Sequence, residues 1–377
     1  MQFGLSESQQ ILKDTARKFF AGECPSAEVR KLMETGTAYD ESLWLKLAAQ
    51  GFTGILVPEE YGGMGLGKVE LVLLMEEAGY ALLPGPLFST IALGGAVLEA
   101  VGTPEQKKKY LPRIASGDIR ATVILMEPGA PSDNQIAIAG GKMTGTRLFV
   151  TDAAEANFIL IVTSSGVFLA DAKAPGIKIG PMKGMDLTRK IYSVKFQNTP
   201  VEKLGASANA SALTRALDAA TTALAAEMVG GMQRTLELTV AYAKTRKQFG
   251  KPIGTFQAVQ HMCADMYLET ESARSAAYYA AWALEENAPD AAVAVSVAKM
   301  YASDACRTVG NRGIQVYGGM GFTWENDLHL YYRRAKASET MLGDATFHRE
   351  RIARLVIDGA VSAASEPEPA QELAARR

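Results

Sequence analysis

The sequence predicts an α+β chain in three parts: an all-α N-terminal domain, a middle antiparallel β-barrel or sandwich domain, and a C-terminal four-helix bundle. Three observations carry that prediction. Apolar residues recur at helical spacing as far as about Gly117, give way to short β-rich runs between Ile119 and Gly205, and return as long helical stripes after Ser207. The strands are gathered in one stretch instead of alternating with helices, so parallel βαβ units and a doubly wound sheet cannot be built. The length, 377 residues, also exceeds the roughly 250 to 300 at which one hydrophobic core stops growing.

The N-terminal domain is expected over residues 1–118. Ser6 and Gln9 have the spacing of a capping box that opens a helix. Apolar positions at Leu12, Ala16, Phe19 and Phe20, then Leu43 and Leu47, then Leu71, Leu74 and Met75 mark helices, and Pro58, Gly62, Gly63, Pro84 and Pro86 separate them. The middle domain is expected over 119–206. Its runs ATVILM, TRLFVT, FILIVT, GVFLA and YSVKF are punctuated by Gly140-Gly141, Ser164-Ser165-Gly166 and Ala174-Pro175-Gly176, as hairpin turns would be. The bundle is expected over 207–360. One stripe runs through Leu213, Leu217, Ala220, Leu224, Met228 and Met232, with others over Gln257 to Glu286, Ala291 to Tyr317 and Leu328 to Ile357. Residues 361–377 offer little to bury and are expected to form a flexible tail.

Composition removes several classes of function. Lys+Arg 39 against Asp+Glu 41 gives a net charge of −2, so no basic field exists to hold nucleic acid. Cys24, Cys263 and Cys306 are far apart, as are His261, His329 and His348, which disfavours a disulfide framework and any zinc site; no metal is expected. Apolar runs such as Phe158 to Val162 fall short of the about 18 residues of a membrane span. The N-terminal segment has no basic region followed by an apolar run, and the expected location is the cytoplasm. The Gly-Lys pairs at Gly67, Gly141 and Gly250 lack the following Ser or Thr of a P-loop.

Four local segments give the chain, from about Leu5 to Ile357, a resemblance to the acyl-CoA dehydrogenase family, in its bacterial FadE-type members. They are AYAKTRKQFGKPIGTFQAVQHMCADM from Ala241, GNRGIQVYGGMGFTWENDLHLYYRRAK from Gly310, MEPGAPSD from Met126, and VPEEYGGMG. The resemblance implies that family's fold, an FAD cofactor, and α,β-dehydrogenation of an acyl-CoA thioester to the trans-2-enoyl-CoA. A carboxylate takes the α-proton, the β-hydrogen leaves as hydride for flavin N5, and electrons pass to electron-transfer flavoprotein. It further implies a homodimer at least, most readily a dimer of dimers, or a heteromer with a paralogue. Some FadE-type members act on bulky or ring-bearing acyl-CoAs as mixed pairs.

The same resemblance assigns site residues. Arg246, Gln248 and Phe249 stand where the family contacts the FAD of a neighbouring subunit, and Phe256 and Gln257 at the next such contact. Read physically, the basic pair at this helix end can take a pyrophosphate, or it is a solvated C-terminus where cations suit the dipole. Gln315, Gly318 and Gly319 match the run that approaches the FAD adenosine and pyrophosphate, and a glycine helix cap fits them as well. Met126 to Ser132 and Phe149-Val150-Thr151 match segments that border the flavin ring. Met126 replaces the usual Thr there and cannot donate its hydroxyl bond; strand core is the plain alternative for Phe149 and Val150. Asp218 aligns with an Asp beside the CoA pocket, although the family Arg three residues later is Thr221.

The family's usual catalytic glutamate aligns with Leu342. Two carboxylates could replace it. Glu227 lies on the inward stripe of its helix, with Ala223 and Gly231 as its i−4 and i+4 neighbours, so no intrahelical cation pairs with it and burial should raise its pKa toward neutrality. The plain alternative is a glutamate at the bundle edge. Asp344 follows Gly343 and is either a base, as in the related nitroalkane oxidases, or the N-cap of the helix that follows. Two rival functions stay open: a non-catalytic or half-site subunit of a heteromeric dehydrogenase, and a flavin oxidase using Asp344.

Overall fold

The computed structural model describes residues 4–125, 136–205 and 210–358; Met126, Ser132 and the expected tail lie outside them. Helix α1 (Glu7–Glu23) opens on the expected capping box, with Gln9 N donating to Ser6 Oγ at 3.2 Å and Ser6 N to Gln9 Oε1 at 3.0 Å. Helices α2 (Ser26–Glu34), α3 (Glu41–Ala49) and α4 (Lys68–Tyr80) follow. Phe88–Gly95 then winds as a π-helix and runs into α5 (Ala96–Val101), and α6 (Pro104–Ala115) is capped by Thr103 with proline at its first position. Among the described residues no helix is long and apolar enough to cross a membrane, and no group of three His, Cys, Asp or Glu could hold a metal.

The middle region holds strands β1 (Ala121–Leu125), β2 (Ile136–Ala139), β3 (Lys142–Thr151), β4 (Phe158–Thr163), β5 (Gly166–Asp171), β6 (Ile177–Met182), β7 (Ile191–Pro200) and β8 (Glu202–Leu204). They form two four-stranded sheets, β1-β4-β5-β8 and β2-β3-β7-β6, packed face to face through Ile124, Ile159, Ile161 and Phe168 against Met143, Val150, Val194 and Phe196. The arrangement is a sandwich, not a closed barrel. One pair also departs from the antiparallel expectation: β1 and β4 run parallel, Ala121 opposite Phe158. The β2-β3 hairpin belongs to the other sheet, so the chain returns to β1 by a crossover and in the same direction. The outer face of the first sheet is buried too, with Val123, Leu160, Leu169 and Leu204 in the helical core, which is why β4 reads as one apolar run.

The bundle consists of α7 (Ala210–Thr245), α8 (Gln257–Glu285), α9 (Ala291–Tyr317), α10 (Leu328–Thr340) and α11 (Ala345–Ala353), with a small hairpin of β9 (Lys247–Gln248) and β10 (Lys251–Pro252) between α7 and α8. The expected last helical stripe is therefore two helices. Leu342 and Gly343 adopt φ of 58° and 95°, a left-handed conformation that no α-helix continues through.

Helix α4 crosses α7 with backbones in contact. A Cβ on Gly79 would run into the carbonyl oxygen of Glu227, and one on Gly230 into that of Glu76. Gly79→Ala and Gly230→Ala should each cost about 1–3 kcal/mol or more in denaturant unfolding, because two helices would have to separate. Gly319→Ala, where nothing lies within 4 Å of the added carbon, should change stability little.

Candidate active site

Glu227 sits on α7 at the junction of all three regions and is 3% exposed. Arg189, in the β6–β7 connection, donates to both carboxylate oxygens at 2.8 and 2.7 Å, and Arg334 of α10 donates to Oε1 at 2.5 Å. Arg334 continues the network to Asp186 Oδ2 at 2.5 Å, Thr188 Oγ1 at 2.5 Å and the Leu83 carbonyl at 3.3 Å. The expectation of an unpaired carboxylate with a raised pKa is thus overturned. Burial pushes the carboxyl up, but the two guanidiniums outweigh it and hold Glu227 below its ordinary value. The sequence offered no cation at the i−4 or i+4 position of Glu227, yet the fold brings two from 38 and 107 residues away.

Asp344 is exposed, and its Oδ1 accepts from Phe347 N at 2.8 Å, so its side chain caps α11. The turn before it is pinned from inside. Fully buried Lys299 of α9 donates to Ser303 Oγ at 3.0 Å, the Glu339 carbonyl at 3.1 Å and the Gly343 carbonyl at 2.9 Å. His348 Nε2 donates to the Leu342 carbonyl at 3.0 Å. Burial lowers the lysine to about 8 and the histidine to about 4, so His348 is neutral near pH 7. Asp218 is also engaged: Arg351 of α11 forks onto both its oxygens at 2.7 and 2.8 Å.

The residues matched to cofactor contacts fall into two groups. Arg246, Gln248 and Phe249 lie on the hairpin at the end of α7, and Gln315, Gly318 and Gly319 end α9; the stacked rings of Tyr242 and Tyr317, 4.0 Å apart, join these two ends. Phe249 is 91% exposed with φ 53°, packed edge-on to half-buried Phe256, and Arg246, Gln248, Gln257 and Gln315 are exposed. No ion pair is formed by Arg246 among the described residues, and added carbons at Gly318 and Gly319 would meet open space. Exposed cations, glycines and an aromatic plate at one bundle end are the chemistry an anionic dinucleotide requires. The second group ends β3, where Phe149 is exposed with φ 59°, Val150 is buried in the sandwich, and the Thr151 carbonyl accepts from Thr122.

Sequence reasoning missed Arg189, Arg334, Asp186, Lys299 and His348. Nothing in their local sequence marks them, because each acts on a partner in another element. Removing one member of a buried ion pair strands the other charge, so Arg334→Met should destabilise the chain by about 3–5 kcal/mol in denaturant unfolding. Lys336→Met, whose pair with Glu339 is partly exposed, should lie within about 0–1 kcal/mol of the parent.

Comparison with known proteins agrees with this architecture. Residues 6–118 match the model of the acyl-CoA dehydrogenase N-terminal domain and residues 210–357 that of the C-terminal domain. Acyl-CoA dehydrogenase IpdE2 of Mycolicibacterium smegmatis is 32% identical over 352 residues, spanning 93% of this chain and 98% of the relative. Among solved structures, the Tcur3481-Tcur3483 steroid ACAD G363A variant superposes with TM-score 0.86 at 33% identity, covering 94% of this chain and 99% of that one. The ChsE4-ChsE5 complex from Mycobacterium tuberculosis gives TM-score 0.86 at 29% identity, covering 97% and 100%. With both terminal domains matched and a third of the residues shared along nearly the whole length, the chain belongs to the acyl-CoA dehydrogenase family of oxidoreductases.

Proposed function

We propose that this chain carries out FAD-dependent α,β-dehydrogenation of an acyl-CoA thioester, giving the trans-2-enoyl-CoA. The observation that carries the reading is the pairing of an intact family fold with an exposed dinucleotide-like cradle at Arg246, Gln248, Phe249, Gln315, Gly318 and Gly319. Those residues, with Phe149, Val150 and Thr151 of the middle domain, would hold FAD, which when bound supplies the hydride acceptor. Glu227 is proposed as the base. Arg189 and Arg334 keep it ionised at neutral pH, as a base must be before it accepts a proton, at the expense of its affinity for that proton. Electrons leave to an electron-transfer flavoprotein, and the cradle is completed by another subunit in a homodimer or tetramer. A neighbour named as a steroid ACAD supports a bulky, ring-bearing acyl group as the substrate class.

One observation favours a second reading, a half-site subunit of a heteromer. Leu342 occupies the turn before α11, Asp344 is engaged in capping, and Glu227 is bound by two arginines, so no carboxylate at these positions is free of partners. The neighbour solved as a ChsE4-ChsE5 complex is a two-chain assembly, which supports it.

Purified alone, the chain should show a flavin spectrum that bleaches when acyl-CoAs are added without oxygen. A colourless chain that acquires flavin only with a paralogous partner would establish the half-site reading instead. Arg246→Glu should lower flavin content, since it inverts a charge beside a pyrophosphate. Per bound flavin, Glu227→Gln should slow bleaching by at least about 10²- to 10⁴-fold. Asp344→Asn should leave bleaching intact and cost at most about 1 kcal/mol, because asparagine caps nearly as well. The opposite outcome in this pair of variants would move the base to Asp344.

A further inference from the structure

Beside the Glu227 network lies a carboxylate that no step above uses. At the end of β3 the chain turns at Asp152, whose φ of 54° follows Phe149 at 59°; two left-handed residues other than glycine within four positions mark a backbone held in place by its surroundings. Asp152 is 2% exposed. Its N–H donates to the Lys190 carbonyl at 2.9 Å, and its Oδ2 accepts from Ser89 Oγ of the π-helix at 2.7 Å. Its Oδ1 is buried and accepts no hydrogen bond, and Arg189 Nε is buried and donates none.

The groups that act on Asp152 come from every element around it. Arg189 and Asp186 approach from the β6–β7 connection, Arg334 from α10 and the Tyr192 hydroxyl from β7. Glu155 shares its turn, donating its N–H to the Asp152 carbonyl at 3.1 Å, while the Lys190 ammonium is turned away to the Met33 carbonyl at 2.7 Å. Glu227 is joined to the same set through Arg189. Asp186 and Glu227 are paired with the two guanidiniums and Asp152 feels both only through space, so with all three buried carboxylates ionised the cluster would carry one uncompensated negative charge away from bulk solvent. Asp186 accepts from Arg334 and from both the N–H and the hydroxyl of Thr188, and Glu227 accepts three guanidinium bonds. Asp152 has one hydroxyl.

We propose that Asp152 is where this cluster takes up and gives back one proton, and that through Arg189 it is a positioning residue for Glu227. Burial, opposed by Arg189 and the Ser89 bond, raises Asp152 to about 6. Below that pH it is neutral and Arg189 serves Glu227 alone. Above it Arg189 is shared, its hold on Glu227 loosens, and the affinity of Glu227 for a proton rises. The part concerning Glu227 rests on its assignment as base; the part concerning the proton does not.

Infrared difference titration of the full chain should show a protonated carboxyl band that fades as pH rises through about 6. The band should be missing in Asp152→Asn. Because the folded pKa lies above the unfolded value, the carboxyl favours the native state at low pH and that contribution is lost as pH rises through about 6. The melting temperature of Asp152→Asn should therefore gain on the parent over that interval. A titrating band that survives in Asp152→Asn overturns the assignment. If that variant does not fold, Ser89→Ala decides: loss of a bond that favours the charged form should move the titration to higher pH, and an unmoved titration overturns the assignment. For Glu227, the acid limb of flavin bleaching should disappear in Asp152→Asn; an unchanged pH profile overturns that half. Normal bleaching by Glu227→Gln would remove the base reading while leaving the infrared result standing.

Discussion

Two arginines around one glutamate tie the molecule together. Arg189 comes from the sandwich, Arg334 from α10 and Glu227 from α7, while the Leu83 carbonyl that Arg334 also reaches follows α4. Buried charges are tolerated only when paired and hydrogen-bonded, so this cluster forms only when all three regions are correctly placed. Its contribution is registration more than net stability: an apolar core would tolerate small sliding of one domain on another, whereas a displaced guanidinium would leave a carboxylate stranded.

Close packing supplies the complementary constraint. Gly79 and Gly230 let α4 and α7 meet at backbone distance, and Glu227 lies on the α7 face that makes this contact. Its neighbours Ala223, Ala225 and Ala226 are fully or almost fully buried, so the carboxylate emerges from a small-residue surface with little freedom of direction. The same closeness keeps bulk solvent away from the cluster and so strengthens each charge–charge interaction in it.

By contrast, Arg246, Gln248, Phe249, Gln315, Gly318 and Gly319 at the bundle end are exposed. The hairpin after α7 holds Phe249 outward in a left-handed turn, and the end of α9 is glycine over open space. A single chain thus presents a well-packed interior core and an exposed aromatic and cationic edge. That asymmetry is what a site completed between molecules would require.

The sequence by itself determined the order helices, strands, bundle, because hydrophobic period is a local property that survives without knowledge of neighbours. It also determined the α1 capping box and the positions of Arg246, Phe249, Gly318 and Gly319, since contiguous motifs carry their own signal. Burial of Glu227 was legible in its stripe, but its charge state was not, for the arginines that set it are 38 and 107 residues distant. The break between α10 and α11 was legible only as one alternative, Asp344 as an N-cap, because Leu342, whose left-handed φ helps to end the pattern, is an ordinary helix former. The parallel pairing of β1 with β4 was likewise a choice of topology, made by where the β2-β3 hairpin packs. Electrostatics and strand direction depend on what lies across a domain boundary, and only the tertiary structure places it there.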